Sequence, residues 1–166
     1  HSLSGTHLNL NQNENLDSDN NLRDFKKAFR RGLKQSGVEL VNNASVELSI
    51  VEFNIVNLDL TSQGVSRDAT GRANEHQVTL RLDYQLPNLI SKHAKAQVDQ
   101  NASSASNAVS AEDVEPKIYS ISVAATYYQD YRNPIAGRVQ KNETQKSLIS
   151  QLTQRLIHQL EFKLKN

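Results

Sequence analysis

The chain has 166 residues, 37% apolar and 22% charged, which suits one domain around a single buried core, so that a disordered chain is not the default. Nineteen Lys and Arg against eighteen Asp and Glu leave a net charge of +1, so the whole-chain positive field usual in nucleic-acid binders is missing. With no Cys, disulfides, thiolate zinc sites and thiol catalysis are excluded together.

Residues 7–11 alternate polar and apolar and read as a short strand, followed by a turn-rich run over 11–21. The period then changes. Leu22, Phe25, Ala28, Phe29 and Leu33 recur at steps of three and four, and Arg23, Lys26, Lys27, Arg30, Arg31 and Lys34 lie between them. The Asp17 to Asn20 cluster supplies a cap and Gly37 a left-handed stop, so a helix is expected over about residues 20–36. Its basic face is read first as solvated surface.

A short strand is expected over 38–41 and a longer one over 46–61, whose apolar phase slips after residue 50 and again after 55. Residues 75–86 alternate cleanly, with Val78, Leu80, Leu82, Tyr84 and Leu86 on one side, which predicts one buried and one wet face. The connection between these strands carries Gly64, Arg67, Asp68, Gly71 and Arg72 and is expected to be a polar hairpin longer than the two-residue type. Pro87 ends the second strand, and 88–115 reads as a low-complexity loop.

Alternation resumes over 117–131, with Tyr119, Ile121, Val123, Ala125 and Tyr127 on one side. After Asn133-Pro134 and Gly137 a second helix is expected from about Asn142. There Asn142-Glu143-Thr144-Gln145 resembles a capping box, and Leu148, Ile149, Leu152, Leu156, Ile157 and Leu160 trace a buried stripe. The order β-α-β-β-β-α predicts an α/β (α+β) two-layer sandwich. Two amphipathic helices would cover one face of a mixed, mostly antiparallel sheet of about four strands, with residues 1–166 forming a single domain.

Catalytic signals are thin. No HExxH, GxGxxG or Walker sequence occurs, and Gly64-Val65-Ser66-Arg67-Asp68 lacks the closing glycine of a nucleophile elbow. His1, His7, His76, His93 and His158 are scattered without metal-ligand spacing, His76 falls in phase with the apolar face, and Glu47 and Glu52 carry no mark of an acid/base pair. The expectation is a protein without catalysis, metal or cofactor. The three sequons at Asn43, Asn101 and Asn142 read as chance in so Asn- and Ser-rich a chain.

Binding signals are stronger. Arg67 and Arg72 share one strand connection, and Arg138 and Lys141 flank the turn expected to enter the last helix, where guanidinium forks and a helix N-terminus together suit a phosphate or carboxylate. Ordinary solvated loop charge is the alternative reading. Tyr119, Tyr127, Tyr128 and Tyr131 read first as sheet packing and second as an amphipathic rim.

Three segments carry a family resemblance: Leu33-Lys34-Gln35-Ser36-Gly37-Val38-Glu39-Leu40-Val41, Ile118-Tyr119-Ser120-Ile121-Ser122 leading to Asn133-Pro134, and Arg155-Leu156-Ile157-His158-Gln159-Leu160 in the closing helix, begun by Asn142-Glu143. In order and spacing they resemble the lipopolysaccharide-assembly lipoprotein LptE family, formerly rare lipoprotein B. The resemblance implies a non-enzymatic lipoprotein of the Gram-negative outer membrane, periplasm-facing, anchored by an acylated Cys upstream of His1. It also implies that the protein binds lipopolysaccharide and plugs the LptD β-barrel translocon. The family's lipopolysaccharide contacts align nearest Ala69 and Gln140, beside which stand Arg67, Arg72, Arg138 and Lys141.

An absent Met at position one fits removal of an upstream signal segment, and no stretch approaches the ~20 apolar residues of a spanning helix. About a third of the residues are Ser, Thr, Asn or Gln and the mean hydropathy is −0.62, a surface suited to a wet barrel lumen. A periplasmic adaptor that binds another envelope protein without lipid is the alternative expectation.

Overall fold

The computed structural model describes residues 3–12, 19–41, 50–87 and 117–165. In chain order it forms β1 (His7–Gln12), α1 (Asn20–Gln35), β2 (Glu39–Leu40), β3 (Ile50–Arg67), β4 (Ala73–Gln85), β5 (Ile118–Tyr128) and α2 (Pro134–Lys165). The expected loop at 88–115, the sequons at Asn43 and Asn101, and His1 and His93 lie outside the described residues or largely so.

Helix α1 forms where the sequence places it. Asp19 caps its start by accepting from the Asn21 amide at 2.9 Å, and Gly37, at φ +87°, ends it. The amides of Val38 and Gly37 return to the carbonyls of Leu33 and Lys34, satisfying the last-turn acceptors, while buried Val38 and Leu33 supply the accompanying apolar contact.

The five strands run in the order β2-β1-β3-β4-β5, one more than expected because Glu39–Leu40 pairs with the outer side of β1. Strand β1 is parallel to β2 and β3, whereas β3, β4 and β5 are antiparallel neighbours. The two helices cover the face that carries Phe53, Ile55, Leu58, Val78, Leu80, Leu82, Tyr84, Ile121 and Val123, all buried, as are Leu22, Phe25, Phe29 and Leu33 of α1 and Leu148, Leu152, Leu156 and Leu160 of α2. The opposite sheet face is wet, with Arg81, Asp83 and Ser120 linked across β4 and β5.

One expected phase slip is a bulge. Ile55 pairs with Tyr84 and Asn57 with Asp83, so Val56 is the additional residue that returns Leu58 and Leu60 to the core side. The slip at residue 50 is not a bulge, since β1 and β3 keep one register from His7 with Ile50 to Gln12 with Ile55. Strand β3 also runs six residues beyond the expected end at 61. Its last stretch is exposed, and backbone pairing to β4 holds it without an apolar signal in the sequence.

The larger correction concerns α2. Asn142 is in the helix interior, not at its start, and no capping box forms there: the Thr144 hydroxyl donates to the Gln140 carbonyl at 2.7 Å, one turn back. Asn133 is the cap, its side-chain oxygen accepting from the Ala136 amide at 3.2 Å, with Pro134 in the first position, where its missing N–H costs nothing. Among the described residues no helix is long and apolar enough to cross a membrane.

An aromatic series ties the layers together. Phe25 and Phe29 stack at 5.6 Å, Phe29 meets Phe53 at 5.1 Å, Phe53 stacks on Tyr84 at 4.9 Å, and Tyr84 meets Tyr119 at 5.5 Å. The buried Tyr84 hydroxyl donates to Gln159 Oε1 at 3.0 Å, and burial first, then the neighbouring Tyr119, push its pKa up to about 12. Because this pKa exceeds the unfolded value near 10, the neutral phenol's contribution is complete below pH ~10 and is lost as pH rises towards 12. Stability measured by urea denaturation is expected to fall through that alkaline window in the wild type, with a shallower slope in Tyr84→Phe.

Candidate functional site

The sheet extends past the helices at one end, where the β3–β4 hairpin and the end of β5 meet the start of α2. Asp68 builds the hairpin turn: its Oδ1 accepts from the Thr70 amide at 2.9 Å, the Thr70 hydroxyl at 2.7 Å and the Arg72 amide at 3.0 Å. Those bonds, the Thr70 hydroxyl foremost and the Arg72 amide next, hold the Asp68 carboxyl below its ordinary pKa. Gly71, at φ +83°, occupies the left-handed position the turn needs, and the loop of residues 68–72 is longer than the two-residue type, as expected.

Arg67 and Arg72 leave this turn on opposite strands, both exposed. Arg67 Nη1 donates to the Gly71 carbonyl at 2.8 Å, and the Arg72 guanidinium lies 5.6 Å from the centroid of the Tyr131 ring. Tyr131 is fixed in turn by its hydroxyl, which donates to the Ala73 carbonyl at 2.6 Å, while the Gln129 amide donates to the Asn74 carbonyl at 2.8 Å. These bonds dock the residues between β5 and α2 against the hairpin. Asp130 Oδ1 accepts from the Arg132 amide at 2.9 Å and shapes the next turn, so the site's two loop carboxylates are engaged by backbone donors.

Arg138 and Lys141 do not flank a turn. They are exposed residues inside α2, because the helix begins at Pro134. Gly137 turns inward, where an added Cβ would lie 3.2 Å from Gln129 Cγ; at 100° per residue, Ile135, Arg138 and Val139 therefore point away from the sheet. Arg67 and Arg72 are thus brought together at the hairpin, and Arg138 and Lys141 follow on the first turns of the docked helix. Ala69 is at the hairpin tip and Gln140 on the exposed side of α2.

Sequence reading names Tyr128 and Tyr131 as a rim but misses Val65, Ile135 and Val139, the rest of the apolar part of this end. Of the seven large exposed hydrophobic side chains among the described residues, five belong to it: Val65, Tyr128, Tyr131, Ile135 and Val139, with Ile135 76% and Tyr128 58% exposed. Val65 is exposed where β3 gains a residue over β4, Gly64 pairing with His76 and Ser66 with Glu75. Tyr119 and Tyr127 face the core side, and His76 stacks on Tyr127 at 5.2 Å at the core edge, as its phase predicts. The elbow-like Ser66 donates to Asn74 Oδ1 at 2.6 Å within the hairpin, and among the described residues no histidine pairs with it. Cationic and apolar side chains thus gather at one end of the fold, Arg72 directly against Tyr131, with Tyr128 on the wet sheet face and Ile135, Arg138 and Val139 on the outward side of α2.

Among the described residues no cluster of His, Asp and Glu could hold a metal ion. No family model and no curated protein matches the chain. Solved structures do. The crystal structure of rare lipoprotein B from Shewanella oneidensis superposes with a TM-score of 0.64 at 15% identity, over 97% of this chain and 100% of that one. A minor lipoprotein from Acinetobacter baumannii gives 0.60 at 14% identity, over 94% of this chain and 90% of its own. The solution structure of an uncharacterized lipoprotein B from Nitrosomonas europaea gives 0.60 at 13%, over 94% and 82%. The chain therefore has the fold seen in the rare lipoprotein B and minor lipoprotein structures, two helices on a five-stranded mixed sheet.

Proposed function

We propose that the chain is a non-enzymatic outer-membrane lipoprotein of the LptE family that binds lipopolysaccharide and plugs the LptD β-barrel. The observation that carries this reading is the hairpin end, where Arg67 and Arg72 stand beside exposed Tyr131 and where Arg138, Ile135 and Val139 follow on the outward side of the docked helix. Lipopolysaccharide presents phosphates beside acyl chains, and guanidinium forks next to exposed apolar side chains complement both parts. Binding there involves no bond making. The fold shared with rare lipoprotein B supports the family assignment, and the wet sheet face and polar composition suit a water-filled lumen.

Co-isolation tests the plug role. The full-length protein, tagged and recovered from detergent-solubilised outer membranes of its own cells, is expected to bring down an LptD-type barrel in stoichiometric amount. Recovery without any barrel, or with a different envelope protein in its place, overturns the plug and favours the adaptor.

A further inference from the structure

Helix α1 carries its charge in a single line, distinct from the hairpin end. At 100° per residue, Arg23, Lys26, Lys27, Arg30, Arg31 and Lys34 fall within an arc of about 140°, and at 1.5 Å per residue they extend about 17 Å along the helix. The buried Leu22, Phe25, Phe29 and Leu33 occupy a separate arc. Five of the six cations are exposed, and Lys26, half-buried, donates to Gln12 Oε1. Among the described residues no carboxylate lies within ion-pair distance of any of the six.

A solvated helix face normally intersperses opposite charges. Here the four-residue neighbours Arg23 and Lys27, Lys26 and Arg30, Lys27 and Arg31, and Arg30 and Lys34 are all of like charge and weaken the isolated helix. The 16-residue segment holds six basic residues and one acidic, +5, while the whole chain is +1, so the rest of the chain sums to −4. The α1 face is therefore the densest run of positive charge in the chain, since the described residues outside α1 hold eleven basic and ten acidic side chains and sum to only +1. Gln12 pairs in register with Ile55, and Arg67 lies twelve residues farther along β3, so at ~3.3 Å per residue the stripe and the hairpin end are on the order of 40 Å apart.

The geometry points to a second binding surface: the basic stripe of α1 docks peripherally on a lipid surface that carries anionic headgroups, by electrostatic attraction and without insertion. Every exposed residue of α1 is polar or charged, and half of the stripe is Lys. Protein interfaces are centred on apolar and aromatic anchors and deplete Lys, which this face contradicts. A headgroup layer moves laterally and requires only a density of positive charge, which a flexible Lys/Arg row supplies.

The test is co-sedimentation of the whole chain with phosphatidylcholine vesicles, with and without about one third phosphatidylglycerol. Wild type is expected to bind only the anionic vesicles and to be released by high salt. Replacing Arg23, Lys27, Arg30 and Lys34 with Gln, which keeps helix propensity, should weaken binding roughly fivefold per charge and several hundredfold in all. Arg67→Gln with Arg72→Gln should leave most of the binding intact. If the fourfold variant loses helix content by circular dichroism, Lys27→Gln with Lys34→Gln is read instead, with an expected loss of roughly 25-fold. No binding of wild type, equal binding by the α1 variants, or retention on polyglutamate but not on vesicles overturns the proposal. A hairpin variant as defective as the α1 variant also overturns it, whereas lipopolysaccharide binding by the hairpin end is decided separately.

Discussion

Phe53→Ala is expected to lower unfolding stability by about 3–5 kcal/mol, the range for deleting a fully buried Phe side chain. Phe53 is completely buried between Phe29 of α1 at 5.1 Å and Tyr84 of β4 at 4.9 Å, so it joins the helix layer to the centre of the sheet. Neither neighbour can fill the vacancy easily. Phe29 is held on its other side by Phe25, and the Tyr84 ring is anchored through its hydroxyl to Gln159. Against a typical domain stability of about 5–15 kcal/mol, such a loss should leave a population of unfolded chain visible at moderate temperature. Urea denaturation followed by far-ultraviolet circular dichroism checks this; Phe53→Leu should cost roughly half as much or less. A loss below about 1.5 kcal/mol for Phe53→Ala would mean that the aromatic series does not join the layers.

Gly32→Val is expected to cost about 2–3 kcal/mol, because α1 crosses α2 at this glycine and the added atoms overfill a packed contact. A Cβ at position 32 would meet Ile157 Cδ1 well inside contact distance and Thr153 Cγ2 at 3.3 Å. Thr153 is buried and holds its hydroxyl on the Ile149 carbonyl at 2.8 Å, so it does not rotate away freely. Ile157 is half-buried and can yield. Gly32→Ala should therefore fall within about 1 kcal/mol of wild type, its gain in helix propensity offsetting a small displacement of Ile157. Combining Gly32→Val with Ile157→Ala should restore about half of the loss if the clash is the cause, which a double-mutant cycle measures. Additive losses would place the cost in the helix itself.

Elements whose apolar residues face the core were legible before folding. The stripe Leu22, Phe25, Phe29 and Leu33 defined α1, the alternation Val78 to Leu86 defined β4, and the phase slip after Ile55 marked the bulge at Val56. Elements held mainly by backbone pairing or capping were not. The first turns of α2 expose Ile135 and Val139, so the buried period becomes visible only at Leu148, and the cap pair Asn133-Pro134 has no apolar stripe directly behind it to mark it as the start. The end of β3 is likewise exposed and paired only to β4.

The same physics governs the site. The basic residues of the hairpin could be named from the sequence because Gly, Asp and Arg cluster at a strand connection. Of their apolar companions Tyr128 and Tyr131 could be named as a rim, but Val65, Ile135 and Val139 could not. Ile135 and Val139 are ordinary helix residues until the start of α2 is known, since only the inward turn of Gly137 against Gln129 shows that they face solvent. Val65 looks like one more strand residue until the register shift at Gly64 and Ser66 leaves it unpaired. A search for Asn-Pro followed by an unburied helical period would have found the first pair.

Titration of purified lipopolysaccharide against the whole chain tests the binding site most directly. Wild type is expected to bind saturably. Arg67→Asp with Arg72→Asp should weaken binding by at least about tenfold, since two charge-assisted contacts become two repulsions. Ile135→Ser with Val139→Ser should weaken it separately through lost apolar contact. Both variants should keep the wild-type circular dichroism spectrum, because all four side chains are exposed. Undiminished binding by both folded variants would contradict the assignment of lipopolysaccharide to this end of the sheet.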